Sequence, residues 1–188
     1  MAIPLTRFSR YFLSRNSIMD KELGAARKAR WNKAFSTTEV EVAPDEDEEV
    51  AINRKATIVI EHLIQASDIS HTMQHWNVYI KWNENLFQEM YLAYLQGRLA
   101  NDPSKGWVQG EIGFFDFYII PLAKKLFTCG VFGVSSDEFL NYAMINRKEW
   151  EQKGEAKVEE YLMNFANRYG NELGLKLPEK KIEHELWV

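Results

Sequence analysis

With a single cysteine, Cys129, the chain of 188 residues can close no internal disulfide. That usage is consistent with a reducing compartment. It has no apolar run near the roughly 20 residues that a membrane-spanning helix needs. It also lacks a basic excess: 23 Lys and Arg stand against 27 Asp and Glu, a net charge of −4, which argues against a nucleic-acid binder. There is no Asn-Gly hairpin signal and no internal repeat, so nothing local asks for antiparallel strands or a solenoid. Residues 1–60 contain no histidine.

What is present points to a folded helical domain. Hydrophobic residues make up 46% and aromatics 13%, enough for one domain with a real core and short for two. The first residues, MAIPLTRFSRYFLSRNSIM, carry Arg7, Arg10 and Arg15 without an acid. They read as a basic helix or tail with some likeness to a transit peptide. The expected location is cytoplasmic.

Asp20 to Phe35 reads as a helix with acids first and bases last, matching the helix dipole. Residues 36–51 include Pro44 and five consecutive acids from Asp45 to Glu49, and read as a solvated acidic linker. Ile52 to Ser67 is a helix, and Trp76 to Gln96 is a second, with apolar residues at 76, 79, 80, 86, 87, 90 and 94. Gly97 stops it. Residues 97–110, with three glycines and Pro103, read as a loop in which Trp107 tucks its ring against the body. Ile112 to Phe127 is a buried helix bent at Pro121. Ser135 and Glu138 form a capping box that leads a helix to about Gln152. Lys157 to Glu172 is a separate final helix on Val158, Tyr161, Leu162, Phe165 and Tyr169, stopped by Gly174 ahead of a charged tail. The fold class is all-α. The organisation expected is an N-terminal extension and linker over 1–51, a main helical unit over 52–154, and a C-terminal helix and tail over 155–188.

The richest stretch is Glu61 to Gln96. Asp68, His71 and His75 stand at i, i+3 and i+7. If the segment stays helical they share one side, and imidazole with carboxylate is a plausible set for zinc or another divalent ion. The alternative is that Asp68 or Ser70 caps the second helix while the histidines line its first turn.

Two motifs carry a resemblance. ASDISHTMQHWNVYIKW resembles the segment of class I 3′,5′-cyclic-nucleotide phosphodiesterases in which an Ala/Cys-Asp-Leu/Ile-Ser turn is followed, fourteen positions after the aspartate, by a tryptophan; here these are Asp68 and Trp82. GEIGFFDFYIIPLAKKL resembles the family's second signature, a Gly-Phe-x-Asp run ending in Pro-Leu. The resemblance covers roughly Ile52 to Gly154, the C-terminal part of that catalytic domain. SIMDKELGAARKARW is similar to a family helix further upstream.

The resemblance implies metal-dependent hydrolysis of cAMP or cGMP to the 5′-monophosphate, in signal transduction, with zinc and magnesium as cofactors. It makes Asp68 a metal ligand. It places Phe114 and Leu86 on the two faces of a purine and sets Tyr79 and Trp82 in the pocket wall. Core packing is the plain alternative for each. The family's purine-reading glutamine falls at Glu111, and an asparagine that often follows the Asp-Leu-Ser turn is replaced by His71. A glutamine offers a donor and an acceptor, whereas an ionised carboxylate only accepts. Burial could instead raise the Glu111 pKa until it donates, so the choice of base stays open.

The family's upstream HNxxHxxD segment and His-Asp pair have no counterpart in residues 1–60. No catalytic proton donor is identifiable, and one ligand of four cannot hold a catalytic zinc. The expectation is therefore a truncated product or remnant, active only if an intact phosphodiesterase or the missing N-terminal half partners it. The alternative is a non-catalytic helical module that binds nucleotide or an intact relative. A metal protein built on Asp68, His71 and His75 is a third reading.

Overall fold

A computed structural model describes residues 18–35, 47–130, 132 and 136–173. Among them every element is helical and none is a strand, as the all-α reading requires. In chain order they are α1 (Ile18–Phe35), α2 (Glu48–Asp68), a 3-10 turn (Ser70–Met73), α3 (Trp76–Leu95), a second 3-10 turn (Pro103–Gly106), α4 (Trp107–Phe114), a π turn (Phe115–Ile119), α5 (Ile120–Cys129) and α6 (Ser136–Leu173). The basic N-terminal tail, Ser135 of the expected capping box, the Gly174 stop and the charged C-terminal tail lie outside the described residues.

Three boundaries depart from the sequence reading, each for a local reason. The end of the acidic run is helix rather than linker: the Asp47 side chain accepts from the Glu49 backbone N–H at 3.1 Å, and Glu48 and Glu49 fill the first turn of α2. Acids suit that position because the helix N-terminus is the positive end of its dipole. α3 is capped by neither Asp68 nor Ser70. His75 does it, its Nδ1 accepting from the Asn77 N–H at 3.2 Å. The expected 97–110 loop already turns helical at Pro103, where Asp102 caps Ser104 at 2.9 Å and proline takes a first-turn position that needs no N–H. Gly97 does end α3, in the left-handed conformation at φ 71°.

Pro121, where a bend was expected, falls just after the change from a π turn to α5. The wider turn delivers Pro121 into the first turn of α5, where the missing N–H costs no hydrogen bond. Asp116 on the π turn accepts two bonds from Arg147 of α6, at 2.9 and 3.1 Å, which pins the wide turn to that helix.

The largest departure is α6. Two helices with a break near residue 154 were expected, and one helix of 38 residues runs through. Gly154 is there for space rather than flexibility. A Cβ on it would lie 2.7 Å from Val108 Cγ1 and 3.0 Å from Trp150 Cε3, so its absence lets α6 lie closely on α4. Glycine to alanine on an open helix face stabilises by about 1 kcal/mol. Gly154→Ala is expected to do the opposite and destabilise by about 1–3 kcal/mol through overpacking, because β-branched Val108 has few rotamers to retreat into. Urea denaturation reads the sign directly, and a stabilised variant would mean that the helices do not meet there.

The core is largely aromatic. Trp76, Tyr79, Phe87, Trp107, Phe115, Trp150 and Tyr161 are buried together with Met73, Met90 and Leu126. Edge-to-face pairs join α3 to α6 through Trp76 and Trp150 at 5.7 Å, and α3 to the π turn through Tyr79 and Phe115 at 5.5 Å. α1 docks at the far end of α2. There Trp31 packs 4.7 Å from the His62 ring, Lys125 of α5 sits over Trp31 at 5.2 Å, and Arg30 pairs with Glu61. Among the described residues no helix is long and apolar enough to cross a membrane.

Candidate functional site

α3 carries Tyr79, Trp82, Asn83 and Leu86 at three- and four-residue spacing, so they share one side of the helix. The 3-10 turn brings His71 up beside them, and α4 brings Glu111 across from them. Together these six residues, with Thr72, Asn85 and Glu89, line a cavity of about 250 Å³. That is just under the roughly 300–1,000 Å³ usual for small-molecule pockets. Trp82 is 57% exposed and forms an outer wall. The His71 ring stands between it and Tyr79, at centroid distances of 5.9 and 6.4 Å.

Five of the six residues assigned to nucleotide by the resemblance, His71, Tyr79, Trp82, Leu86 and Glu111, meet at this cavity. Phe114 does not line it. It is buried in the core with its ring stacked on Tyr118 at 5.4 Å.

Behind the cavity lies a closed set of hydrogen bonds. The Tyr79 hydroxyl accepts from Trp150 Nε1 at 2.8 Å and from Asn83 Nδ2 at 3.2 Å, and it donates to Glu111 Oε2 at 2.6 Å. Asn83 Oδ1 accepts in turn from Trp107 Nε1 at 3.0 Å, while the one proton of the Tyr161 hydroxyl is shared between the Ile80 carbonyl at 3.1 Å and Asn83 Oδ1 at 3.3 Å. The directions at Asn83 and Tyr79 are forced. Both indoles can only donate, which orients the Asn83 amide, fills the lone pairs of Tyr79 and leaves its single proton for the carboxylate. The second carboxylate oxygen, Glu111 Oε1, is buried and has no hydrogen-bond partner.

A carboxylate so enclosed resists ionisation. Burial pushes Glu111 up to about 7, although the Tyr79 hydroxyl and the Asn83 amide pull the other way. Burial, reinforced by Glu111, also raises the Tyr79 phenol well above its ordinary value, and burial lowers His71.

The sequence reading missed Asn83, Asn146, Trp150 and Tyr161. Asn146 is fully buried on α6 and donates to the Thr72 and Gln74 carbonyls at 2.9 and 2.7 Å, holding the turn that carries His71. A polar residue inside an apolar stripe, as Asn83 is on α3, is the one signal that could have exposed part of this network.

Asp68 ends α2 and is exposed. An acid there faces the negative end of the helix dipole. The helix stops at Asp68, so Asp68, His71 and His75 do not lie along one continuous helix: His71 sits on the 3-10 turn and His75 caps α3. Among the described residues no three His, Cys, Asp or Glu side chains come close enough to hold a metal ion. The local triad reading fails on that geometry. The described residues likewise do not by themselves fit the zinc and magnesium that the resemblance implies, because such a centre needs about three protein ligands.

The all-α fold thus holds a cavity walled by an indole, an aliphatic chain and a buried acid. The family model for 3′5′-cyclic nucleotide phosphodiesterase matches residues 6–130, well over half of the chain. The chain belongs to that family. The matched region starts far upstream of Ile52, taking in α1, and ends with α5 rather than reaching Gly154. Neither a curated protein nor a solved structure matches the chain.

Proposed function

We propose that the chain binds the purine of a 3′,5′-cyclic nucleotide in the cavity between α3 and α4, as the base-holding part of a phosphodiesterase catalytic domain. One observation carries this reading: five residues that the resemblance assigns to nucleotide, from three separate elements, line a single cavity. Leu86 and the Trp82 indole offer apolar walls to a flat ring, and Glu111 offers a polar group at the base edge.

Hydrolysis to the 5′-monophosphate is the reaction that family membership implies. In this reading Asp68 contributes one ligand to a metal centre whose other ligands come from a partner polypeptide. Its exposed position at the negative end of α2 suits a cation. The second reading is a binding module without catalysis, favoured by the absence of a three-donor group among the described residues.

Calorimetric titration of the purified chain with cAMP and cGMP tests the shared premise. Hydrolysis of both, with magnesium and zinc present and Asp68→Ala as control, separates the two readings. Binding without hydrolysis selects the module. Turnover that disappears in Asp68→Ala selects the enzyme. Absence of binding by either nucleotide overturns the cavity assignment.

A further inference from the structure

Asn146 on α6 is fully buried, and one end of its amide carries its contacts. Nδ2 donates to the Thr72 carbonyl at 2.9 Å and to the Gln74 carbonyl at 2.7 Å, while Oδ1 is buried without a hydrogen-bond partner among the described residues. An unmet buried acceptor costs stability, so the two donors account for this residue. Two carbonyls so close in the chain ask for two protons on one atom. Serine or threonine brings one and aspartate brings none, while lysine and arginine bring a charge that would need its own partner. The asparagine amide is the short neutral group that brings both.

Both carbonyls belong to the short link between α2 and α3. Inside it the Thr72 N–H and hydroxyl donate to the Ile69 carbonyl at 2.9 and 2.7 Å, and a single 3-10 turn carries little more of its own. The core takes Met73. α6 grips the link twice, through Asn146 and, one turn earlier, through Tyr142, which meets the His75 ring edge to face at 6.2 Å. The His71 ring leaves this turn on the cavity side, against Tyr79 and Trp82.

We propose that Asn146 is a positioning residue for the cavity: by clamping the Ser70–Met73 turn to α6, it seats the His71 ring against Tyr79 and Trp82. Asn146 does not line the cavity and acts through the turn. The purpose of the seat rests on the nucleotide reading. The clamp goes beyond that reading, since it puts a determinant of the site on a helix that the family match does not reach.

Carbethoxylation of the full chain by diethyl pyrocarbonate, read by mass spectrometry at each histidine, tests the seat without any nucleotide. Asn146→Leu keeps the volume and removes both donors. Losing two hydrogen bonds should raise the open population of the turn, and with it the His71 rate, on the order of tenfold. His62, buried on α2 beside Trp31 and Lys125, reports on the fold as a whole and should stay within about twofold of the wild type. Asn146→Ser keeps one donor and should fall between. An unchanged His71 rate overturns the proposal. So does a rise at His62 equal to that at His71 in both variants, which would make Asn146 a general support of the fold. Affinity for cAMP should weaken roughly tenfold in step with the His71 rate. Undiminished affinity beside a loosened His71 overturns the role in the site. If the wild type binds neither cAMP nor cGMP, the nucleotide reading fails, and the His71 rate still decides the clamp.

Discussion

Glu111→Gln is expected to stabilise the protein on the order of 3 kcal/mol above pH 7 and to leave it nearly unchanged below pH 4.5. The sign follows from proton uptake. In the folded state Glu111 titrates at about 7, against an ordinary value of 4.5. Between those values the fold keeps a proton that the unfolded chain has released, so stability falls as pH rises through the interval and stays lost above it. Glutamine is neutral throughout and can still accept from Tyr79, so it escapes that loss. For a chain of this size the gain corresponds to a melting temperature roughly 6–12 °C higher at alkaline pH. Thermal melts across the interval should show a downward slope in the wild type and little of it in the variant. Parallel profiles would mean that Glu111 is ionised and well solvated in the fold.

The second large effect belongs to Trp150. It is fully buried, meets Trp76 edge to face and donates to Tyr79 at 2.8 Å. Trp150→Ala is expected to cost about 3–5 kcal/mol, the range for emptying a large aromatic from a core. Trp150→Phe keeps most of the packing and removes only the donor, at about 1–2 kcal/mol. The milder variant is the more informative for the site. With one acceptor position of Tyr79 vacated, its hydroxyl is less firmly held toward Glu111. Urea denaturation measures both costs, and a Trp150→Ala cost below about 1 kcal/mol would show that α6 does not seat against α3 as described.

Much of the helical layout was legible because amphipathic spacing is a local property. α3 was expected over Trp76 to Gln96 and ends one residue earlier. The acidic run was harder, since the same residues solvate a loop and also stabilise a helix start, and only the Asp47 cap distinguishes the two. The break expected between Gln152 and Lys157 failed at Gly154. Propensity treats glycine as a breaker, while here tertiary contact with Val108 demands its lack of a Cβ. In the site, His71, Tyr79, Trp82, Leu86 and Glu111 were reachable through two motifs close in sequence. Phe114 came from the same motif, yet it packs inward on Tyr118. Trp150 and Tyr161 were not reachable, because their bonds to Tyr79 and Asn83 span 71 and 78 residues and leave no local pattern.

The unbroken course of α6 makes the site dependent on phase. Asn146, Trp150 and Tyr161 reach the 3-10 turn, Tyr79 and Asn83 from one rod, and that rod lies beyond the stretch that matches the family. Their bearings around the rod are locked together at about 100° per residue. Deleting one residue between Trp150 and Val158 would therefore swing Tyr161 about a quarter-turn away from Asn83 while leaving Trp150 in place. Inserting seven would restore the bearing to within about 20° and displace the contact by roughly 10 Å along the rod. For this helix, counting residues constrains the site more tightly than choosing them.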